Sequence, residues 1–188
     1  MKEAIEFTKS PFIAGKNVSL RSLLPADLEG AYFRWFNDSE VCRHNSHGRF
    51  PNSLARMQAY VDEVSRSRSQ LVLAIMENSS GRHVGNIALQ NIQWIDRTAE
   101  YAIVLGERDT WGKGFAKEAS DLILRHGFLE LNLHRIYCGT SADNLAMQKL
   151  AKHMGMEEGG RRREAVYKAG KHQDVLEYGI LRSEFLKS

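Results

Sequence analysis

Three strand-like segments in succession constrain the fold of this chain more than any other feature. QLVLAIM (70–76) is a short apolar run, and HVGNIALQNIQW (83–94) and TAEYAIVL (98–105) follow it with only short turns between them. A helical pattern then begins soon after the third segment. This order differs from the strict alternation of strand and helix in a doubly wound sheet, and it predicts a mixed α/β fold.

The other periodic segments extend this prediction to most of the chain. Further strands are expected at 17–23, at 134–141 and in a closing pair around Ala169-Gly170, and helices after Pro25, at 53–67, from about 115 to Leu131 and at 143–155. The resulting order is β, α, α, β, β, β, α, β, α, β, β. It gives a central mixed sheet of about seven strands flanked by about four helices. We expect a single domain over 1–188, with 1–16 as an N-terminal extension.

Composition and charge argue against several classes of protein. The net charge of +3 is too small to indicate a nucleic-acid-binding protein. Cys42 and Cys138 lie far apart and form no C-x-x-C pair, so we expect neither a disulfide framework nor a metal site. The N-terminus has no apolar run of the signal-peptide type, and no window approaches the roughly 18 apolar residues of a membrane span. We therefore expect a cytoplasmic soluble protein, either a monomer or a homodimer.

The stretch RDTWGKGFAKEA (108–119) places two glycines where the third strand leads into a helix. The first backbone N–H groups of a helix have no partner within it, and the helix dipole adds partial positive charge there. Glycine at Gly112 and Gly114 would let an anion approach those amides without a Cβ in the way. Lys113 and Lys117 add full positive charges. The stretch therefore suits a pyrophosphate, although a plain helix-entry turn would have a similar sequence.

Two common phosphate-binding motifs do not fit this stretch. The Walker pattern requires G-x-x-x-x-G-K-(S/T), whereas here the lysine precedes the second glycine. The dinucleotide fingerprint G-x-G-x-x-G fails because Lys117 occupies the position of its third glycine. Neither a nucleoside triphosphate nor a dinucleotide is therefore favoured by the motif itself.

With its neighbours, the stretch resembles the phosphate loop of the GNAT superfamily of acyl-CoA-dependent N-acyltransferases. DTWGKGFA matches the form (Q/R)-x-x-G-x-(G/A) from Gly112 onward, although Asp109 occupies the leading position and Arg108 lies one residue earlier. IYCGTSADNLAMQKLAKHMGM (136–156) matches a second motif, a strand, then Asn144, then a helix. WGKG followed by EA, the tail at 158–181 and WFNDSEV (35–41) resemble the branch that acetylates the N-terminal alanine of ribosomal proteins.

This resemblance implies acetyl-CoA as the co-substrate and a sheet that is splayed between its fourth and fifth strands. The pantetheine arm of the cofactor would lie in the gap and bond the backbone of the strand before the phosphate loop. The residues that would bind acetyl-CoA are Ile103, Val104, Leu105, Arg108, Trp111, Gly112, Lys113, Gly114, Phe115, Ala116, Lys117 and Asn144. Asn144 also suits the N-cap of the following helix.

Direct acetyl transfer requires a neutral amine and a way to protonate or stabilise the departing thiolate. Glu100 is the candidate base, because it is a carboxylate in an otherwise apolar strand and because the ribosomal branch often has a glutamate there. A solvent-facing Glu100, or one paired with Arg97, is the alternative. Related enzymes place a Ser or a Tyr where this chain has Met147 and Ala151, which cannot donate a proton. Tyr137, His134 or a water remain as candidate acids, and we select Tyr137.

The acceptor side is expected from the segment between the first two helices. RHNSHGRF (43–50) gathers Arg43, His47 and Arg49, which could form a cationic wall for an acidic acceptor or a solvated loop. Trp94 is either a packing residue or a border of the acceptor cleft. No metal is expected, since His-x-x-His alone is weak support for one.

The sequence therefore predicts an N-acetyltransferase that moves an acetyl group from acetyl-CoA to a primary amine. A protein N-terminal amine ranks first as acceptor, which makes the ribosome the one nucleic-acid partner to consider. An amino sugar or its nucleotide conjugate, and a small polyamine or amino-acid-like amine, are the alternatives. A non-catalytic acyl-CoA-binding module is the alternative from another class, since Met147 and Ala151 replace the usual proton donors.

Overall fold

A computed structural model describes residues 10–187, which form one eight-stranded sheet of order β1-β2-β3-β4-β5-β6-β8-β7. The strands are β1 (Ile13–Ala14), β2 (Val18–Ser22), β3 (Leu71–Glu77), β4 (His83–Gln93), β5 (Thr98–Leu105), β6 (Arg135–Ser141), β7 (Glu157–Lys168) and β8 (Lys171–Leu181). The α-helices are α1 (Tyr32–Trp35), α2 (Leu54–Arg66), α3 (Phe115–Leu129), α4 (Leu145–His153) and α5 (Arg182–Phe185). Short 3₁₀ helices occupy Pro25–Glu29, His47–Arg49 and Arg108–Thr110.

This architecture confirms the predicted mixed α/β fold and differs from the prediction at three places, one of which is the unpredicted short helix α5 after β8. An additional two-residue strand, β1, pairs antiparallel with β2 inside the expected N-terminal extension. The helix expected after Pro25 is divided into a 3₁₀ turn and the short α1, because Gly30 has extended backbone angles between them. Residues 1–9 of the extension and residue 188 lie outside the described residues.

The sheet opens between its only parallel neighbours in the described chain, β5 and β6. Thr98, Ala99 and Glu100 of β5 pair with Arg135, Ile136 and Tyr137 of β6, and the pairing stops there. β5 continues to pair with β4 as far as its last residue, and β6 continues with β8 in the same way. A gap therefore opens beyond Glu100. This is the predicted separation between the fourth and fifth predicted strands, which are β5 and β6 once β1 is counted.

Two apolar clusters, one on each face of the sheet, hold these strands in place. One contains side chains of α3 and α4, such as Ile123, Phe128 and Leu150, packed on the strands. The other contains Tyr32 and Trp35 of α1 with residues of α2. Alternation along β5 sends successive side chains to opposite clusters, so both faces of that strand are covered.

The helices start at residues that satisfy their free amides. Ser53 caps α2 by accepting a hydrogen bond from the Arg56 amide at 3.3 Å. Asn144 caps α4 in the same way, accepting from the Met147 amide at 3.2 Å. None of the helices in residues 10–187 is long and apolar enough to cross a membrane.

Candidate active site

A cavity of about 710 Å³ lies beside the open part of the β5–β6 gap. Its walls come from the end of β5, the start of α3, the start of α4 and the segment from Glu40 to Asn45. The predicted site residues that line it are Arg43, Ile103, Val104, Leu105, Trp111, Gly112, Gly114, Phe115, Ala116, Lys117 and Asn144. The structure thus brings together most of the cofactor-binding residues expected from the sequence, which lie between Ile103 and Asn144, and adds Arg43 of the expected acceptor side.

The two glycines before α3 have left-handed backbone angles. Their φ angles are 77° at Gly112 and 85° at Gly114, and Gly114 is the N-cap of α3 without a side-chain cap. A Cβ on either residue would meet no atom within 4 Å, so glycine is required by the φ angle rather than by crowding. The space above these backbone groups is open to a ligand.

The free amides at this turn give the cavity an anion-binding end. Within residues 10–187, the N–H groups of Gly112, Gly114, Phe115, Ala116 and Lys117 have no backbone acceptor. Lys113 is the exception to the predicted set, because its amide donates to the Thr110 carbonyl at 3.3 Å and its side chain does not line the cavity. The exposed ammonium of Lys117 adds charge at the same end.

Trp111 fixes the position of this turn relative to β5. Its indole Nε1 donates a hydrogen bond to the carbonyl oxygen of Leu105 at 3.0 Å. That bond uses the carbonyl of the last residue of β5, so Leu105 has one fewer free acceptor for a pantetheine chain. Ile103 and Val104 remain as the lining strand residues on the open side.

Asn144 lies across the cavity at the start of α4. Its Oδ1 holds the helix cap, whereas its Nδ2 has no hydrogen-bond partner in the part of the chain that the structure describes. The side chain therefore combines the capping role with a free donor at the cavity wall. Both roles that the sequence suggested for Asn144 are geometrically compatible.

The two predicted catalytic residues face each other at the closed end of the gap. Glu100 and Tyr137 are Cα partners in the last paired position of β5 and β6. Glu100 is half-buried and its Oε2 accepts a hydrogen bond from Asn91 Nδ2 at 2.8 Å, instead of the expected alternative pairing with Arg97. Burial, and then the negative charge of Glu100, raises the pKa of the Tyr137 hydroxyl. Neither residue lines the cavity itself.

Four further predicted site residues lie outside the cavity lining, and each has a partner that explains its position. Arg108 is bound by Asp38 at 2.6 Å, and Arg49 donates to the Tyr167 carbonyl at 3.1 Å. Burial lowers the pKa of His47, which packs on Phe36 with ring centroids 4.3 Å apart. Trp94 donates to the Arg68 carbonyl at 2.9 Å, at the far end of β4. The structure therefore places these four side chains outside the cavity lining, each held by its own partner.

Sequence reasoning missed two carboxylates and a lysine that line the cavity, Glu40, Asp143 and Lys149. Glu40 forms an ion pair with Arg43, and Asp143 accepts a hydrogen bond from Lys171 Nζ at 2.9 Å. Asp143 comes directly before Asn144 and Lys149 follows it within α4, so their position near that asparagine was a usable signal of a place at the cavity. Glu40 lies in a turn-rich segment without periodicity and gave none.

Known proteins with related sequences or folds are N-acetyltransferases. Spermidine N(1)-acetyltransferase of Vibrio cholerae is 32% identical over 60% of this chain, and the alignment spans 64% of that protein's own length. YdaF of Bacillus subtilis, provisionally named a ribosomal N-acetyltransferase, is 28% identical over 56% of this chain and 57% of its own length. A crystal structure of spermidine N-acetyltransferase from Vibrio cholerae with CoA and spermine superposes with a TM-score of 0.83. It is 24% identical and covers 92% of this chain and 99% of that one, which establishes similarity of fold.

The ribosomal-protein branch, which the sequence motifs favoured, is not specifically supported by these similarities. The family model of the acetyltransferase (GNAT) domain matches residues 17–157, three quarters of the chain. That match confirms the predicted superfamily, its enzyme class of N-acetyltransferases and acetyl-CoA as the family's acyl donor. The chain belongs to the acetyltransferase (GNAT) domain family.

Proposed function

We propose that this protein transfers the acetyl group of acetyl-CoA directly to a primary amine of a small polyamine. The observation that carries the proposal is the cavity itself. One end of the cavity has the free amides and the two glycines before α3. From there the cavity runs along the part of β5 that is not paired with β6. A pyrophosphate at the amides and an extended pantetheine chain beside Ile103 and Val104 fit that shape.

The chemical step assigns the proton transfers to Glu100 and Tyr137. The amine nitrogen attacks the thioester carbonyl carbon, a C–N bond forms and the C–S bond breaks. Glu100 receives the proton lost by the nitrogen, directly or through a water. The leaving thiolate takes a proton from Tyr137, which is protonated near neutral pH as an ordinary tyrosine is, and whose pKa burial and Glu100 raise further. Met147 and Ala151 supply no proton donor.

Two observations support a polyamine rather than a protein N-terminus. Relatives named as spermidine acetyltransferases are among the most similar proteins. Glu40 and Asp143 give the cavity two carboxylates toward which a second ammonium group would be attracted, although Arg43 and Lys171 occupy them at present. The basic segment at 43–49 suggested an acidic acceptor. However, Arg49 donates to the Tyr167 carbonyl and His47 packs on Phe36, so these two side chains give little support to an acidic acceptor.

The test is CoA thiol release from acetyl-CoA with four acceptors under one set of conditions. These are spermidine, butylamine, a peptide with an N-terminal alanine and a uridine-diphosphate amino sugar. We expect the highest kcat/KM with spermidine and no release with Glu100→Gln near neutral pH. A higher kcat/KM with the peptide or the amino sugar would overturn the polyamine assignment. Stabilisation by acetyl-CoA without thiol release from any acceptor would favour the non-catalytic alternative.

A further inference from the structure

We propose that Asn91 is a positioning residue for Glu100, and this inference rests on the proposed role of Glu100 as the base. Asn91 lies in β4, next to β5, and its Nδ2 donates a 2.8 Å hydrogen bond to Glu100 Oε2. Asn91 touches neither the cavity nor any group assigned to acetyl-CoA. Its effect on the reaction would therefore pass through the carboxylate of Glu100.

A β-bulge in β4 brings the side chain of Asn91 within hydrogen-bond distance of Glu100. Gln90 of β4 is the Cα partner of Glu100, and the register resumes only at Gln93, the partner of Thr98. Three steps along β4 therefore correspond to two along β5, which leaves one additional residue in β4. Asn91 occupies that irregular position and has φ = 52°, in the left-handed region. Asparagine tolerates this region better than most residues do, but it still costs free energy.

The bulge turns the amide toward a carboxylate that would otherwise lack a fixed orientation. Bulges of this kind redirect a side chain near active sites. A donor on the carboxylate stabilises its charged form and restricts its rotation. The neighbouring groups that respond to the charge of Glu100 come from β6, namely Tyr137 and Cys138, and the pKa of each is raised in part by it. Arg135 and Glu177 in turn act on Tyr137.

Two variants separate the hydrogen bond from the backbone conformation. Asn91→Gly keeps a residue that accepts φ > 0 and removes only the amide donor. Asn91→Asp keeps the size of the side chain and brings a second negative charge to Glu100. The matched control is Asn132→Gly, since Asn132 has φ = 53° in the turn before β6 and its side chain contacts Arg182, not the site.

The pKa of Glu100 should rise in both variants at position 91, and more in Asn91→Asp, because the charged carboxylate loses a donor or gains a like charge. It is measured by ¹³C NMR titration of the Glu100 carboxyl carbon, a readout that does not require activity. In the kinetics, the acidic limb of kcat/KM against pH should move to higher pH. At the pH optimum we expect kcat of Asn91→Gly to fall about tenfold while KM for acetyl-CoA stays within about twofold.

The possible outcomes distinguish this inference from the proposed function. An unchanged Glu100 titration in both variants would overturn the positioning role even if Glu100→Gln abolishes activity. A shifted titration with full activity of Glu100→Gln would instead remove Glu100 from the reaction and leave the contact with Asn91 established. Equal kinetic losses in Asn91→Gly and Asn132→Gly would also overturn the inference, because they would show a general effect of the backbone.

Discussion

One nitrogen of Arg108, Nη2, donates to both carboxylate oxygens of Asp38, at 2.6 and 2.7 Å. Asp38 also accepts hydrogen bonds from the backbone amides of Glu40 and Val41, at 2.8 and 3.2 Å. These bonds fix the start of the segment at 40–45, which lines the cavity. Arg108 lies between β5 and the glycine turn before α3. The contact therefore joins the segment at 40–45 to the segment that leads to the free amides before α3.

Removing this contact should affect acceptor binding more than cofactor binding. In Asp38→Ala, Arg108 and the backbone amides of Glu40 and Val41 lose the carboxylate that accepts their hydrogen bonds, so the segment at 40–45 is held less firmly and we expect KM for the amine to rise several-fold. KM for acetyl-CoA should change less, because the amides before α3 do not depend on Asp38. Global stability should change by about 1 kcal/mol or less, since the pair is exposed. Steady-state kinetics with both substrates varied measures the two KM values.

Asp121→Asn is the matched control for that prediction. Asp121 Oδ1 lies 3.2 Å from Nε2 of His153, in a partly exposed contact between α3 and α4 that is outside the cavity lining. Its loss should leave both KM values unchanged. An equal rise of the two KM values in Asp38→Ala would contradict a selective role in orienting the acceptor side.

Alanine at Gly114 should weaken acetyl-CoA binding beyond its effect on the fold. With φ = 85° and no atom within 4 Å of an added Cβ, Gly114→Ala should destabilise the free protein by about 1–2 kcal/mol through the backbone alone. The new Cβ would also stand beside the free amides of the turn. Thermal unfolding with and without acetyl-CoA measures both effects, and a tenfold weaker binding reduces the stabilisation by about 1.4 kcal/mol.

Gly81→Ala provides the comparison for Gly114. Gly81 has φ = 69°, an added Cβ there also meets nothing within 4 Å, and the residue lies in the turn between β3 and β4. It should lose similar stability and keep the full stabilisation by acetyl-CoA. If acetyl-CoA stabilises both variants equally, the amides before α3 do not bind the cofactor.

The parts of this fold that the sequence predicted are those set by local periodicity and backbone geometry. The strand expected at 98–105 is Thr98–Leu105, and a turn into the next helix was expected at Gly112 and Gly114, where the backbone is left-handed. The acceptor side was expected at 43–50, where Arg43 lines the cavity but His47 and Arg49 make other contacts, because a turn-rich segment is shaped by contacts far away in sequence. Arg108 shows the same limit: it was assigned to acetyl-CoA from its place beside the leading position of the phosphate-loop motif, whereas its partner Asp38 lies 70 residues earlier.

A buried pair of hydroxyl groups gives a prediction about stability with a defined direction. Ser120 Oγ donates to the Ala116 carbonyl at 2.6 Å, so its single proton is used, and Tyr101 must donate to Ser120 Oγ, 2.6 Å away. Ser120→Ala leaves the fully buried Tyr101 hydroxyl without an acceptor and should cost about 1–3 kcal/mol. Tyr101→Phe leaves the bond from Ser120 to Ala116 intact and should cost less. Urea unfolding of the two variants compares them, and the reverse order would contradict this assignment of donor and acceptor.

The buried side chain of His83 predicts how stability depends on pH. Its Nε2 lies 2.9 Å from the Gly85 carbonyl and 2.8 Å from Asn86 Oδ1, both acceptors, so this nitrogen holds the proton of a neutral ring. Burial lowers the pKa of His83 even though Asp27 lies 3.6 Å from its Nδ1 and opposes that shift. In the unfolded chain the ring has an ordinary pKa of about 6.5 and binds a proton that the folded chain does not.

The free energy of unfolding should therefore be fully retained above about pH 6.5 and decrease as the pH falls from there toward 5. His83→Gln removes this group from both states, so its unfolding free energy should fall less steeply over the same range. The slopes should differ by at most about 1.4 kcal/mol per pH unit, the value for one proton.

Burial also lowers the pKa values of His44, His47 and His126, so part of the slope should remain in the variant. Urea unfolding between pH 5 and 7.5 measures both slopes, and because each protein is compared with itself across pH, the packing lost with the imidazole does not enter the comparison. Equal slopes would mean that His83 binds a proton in the folded protein as readily as in the unfolded one, which its surroundings oppose.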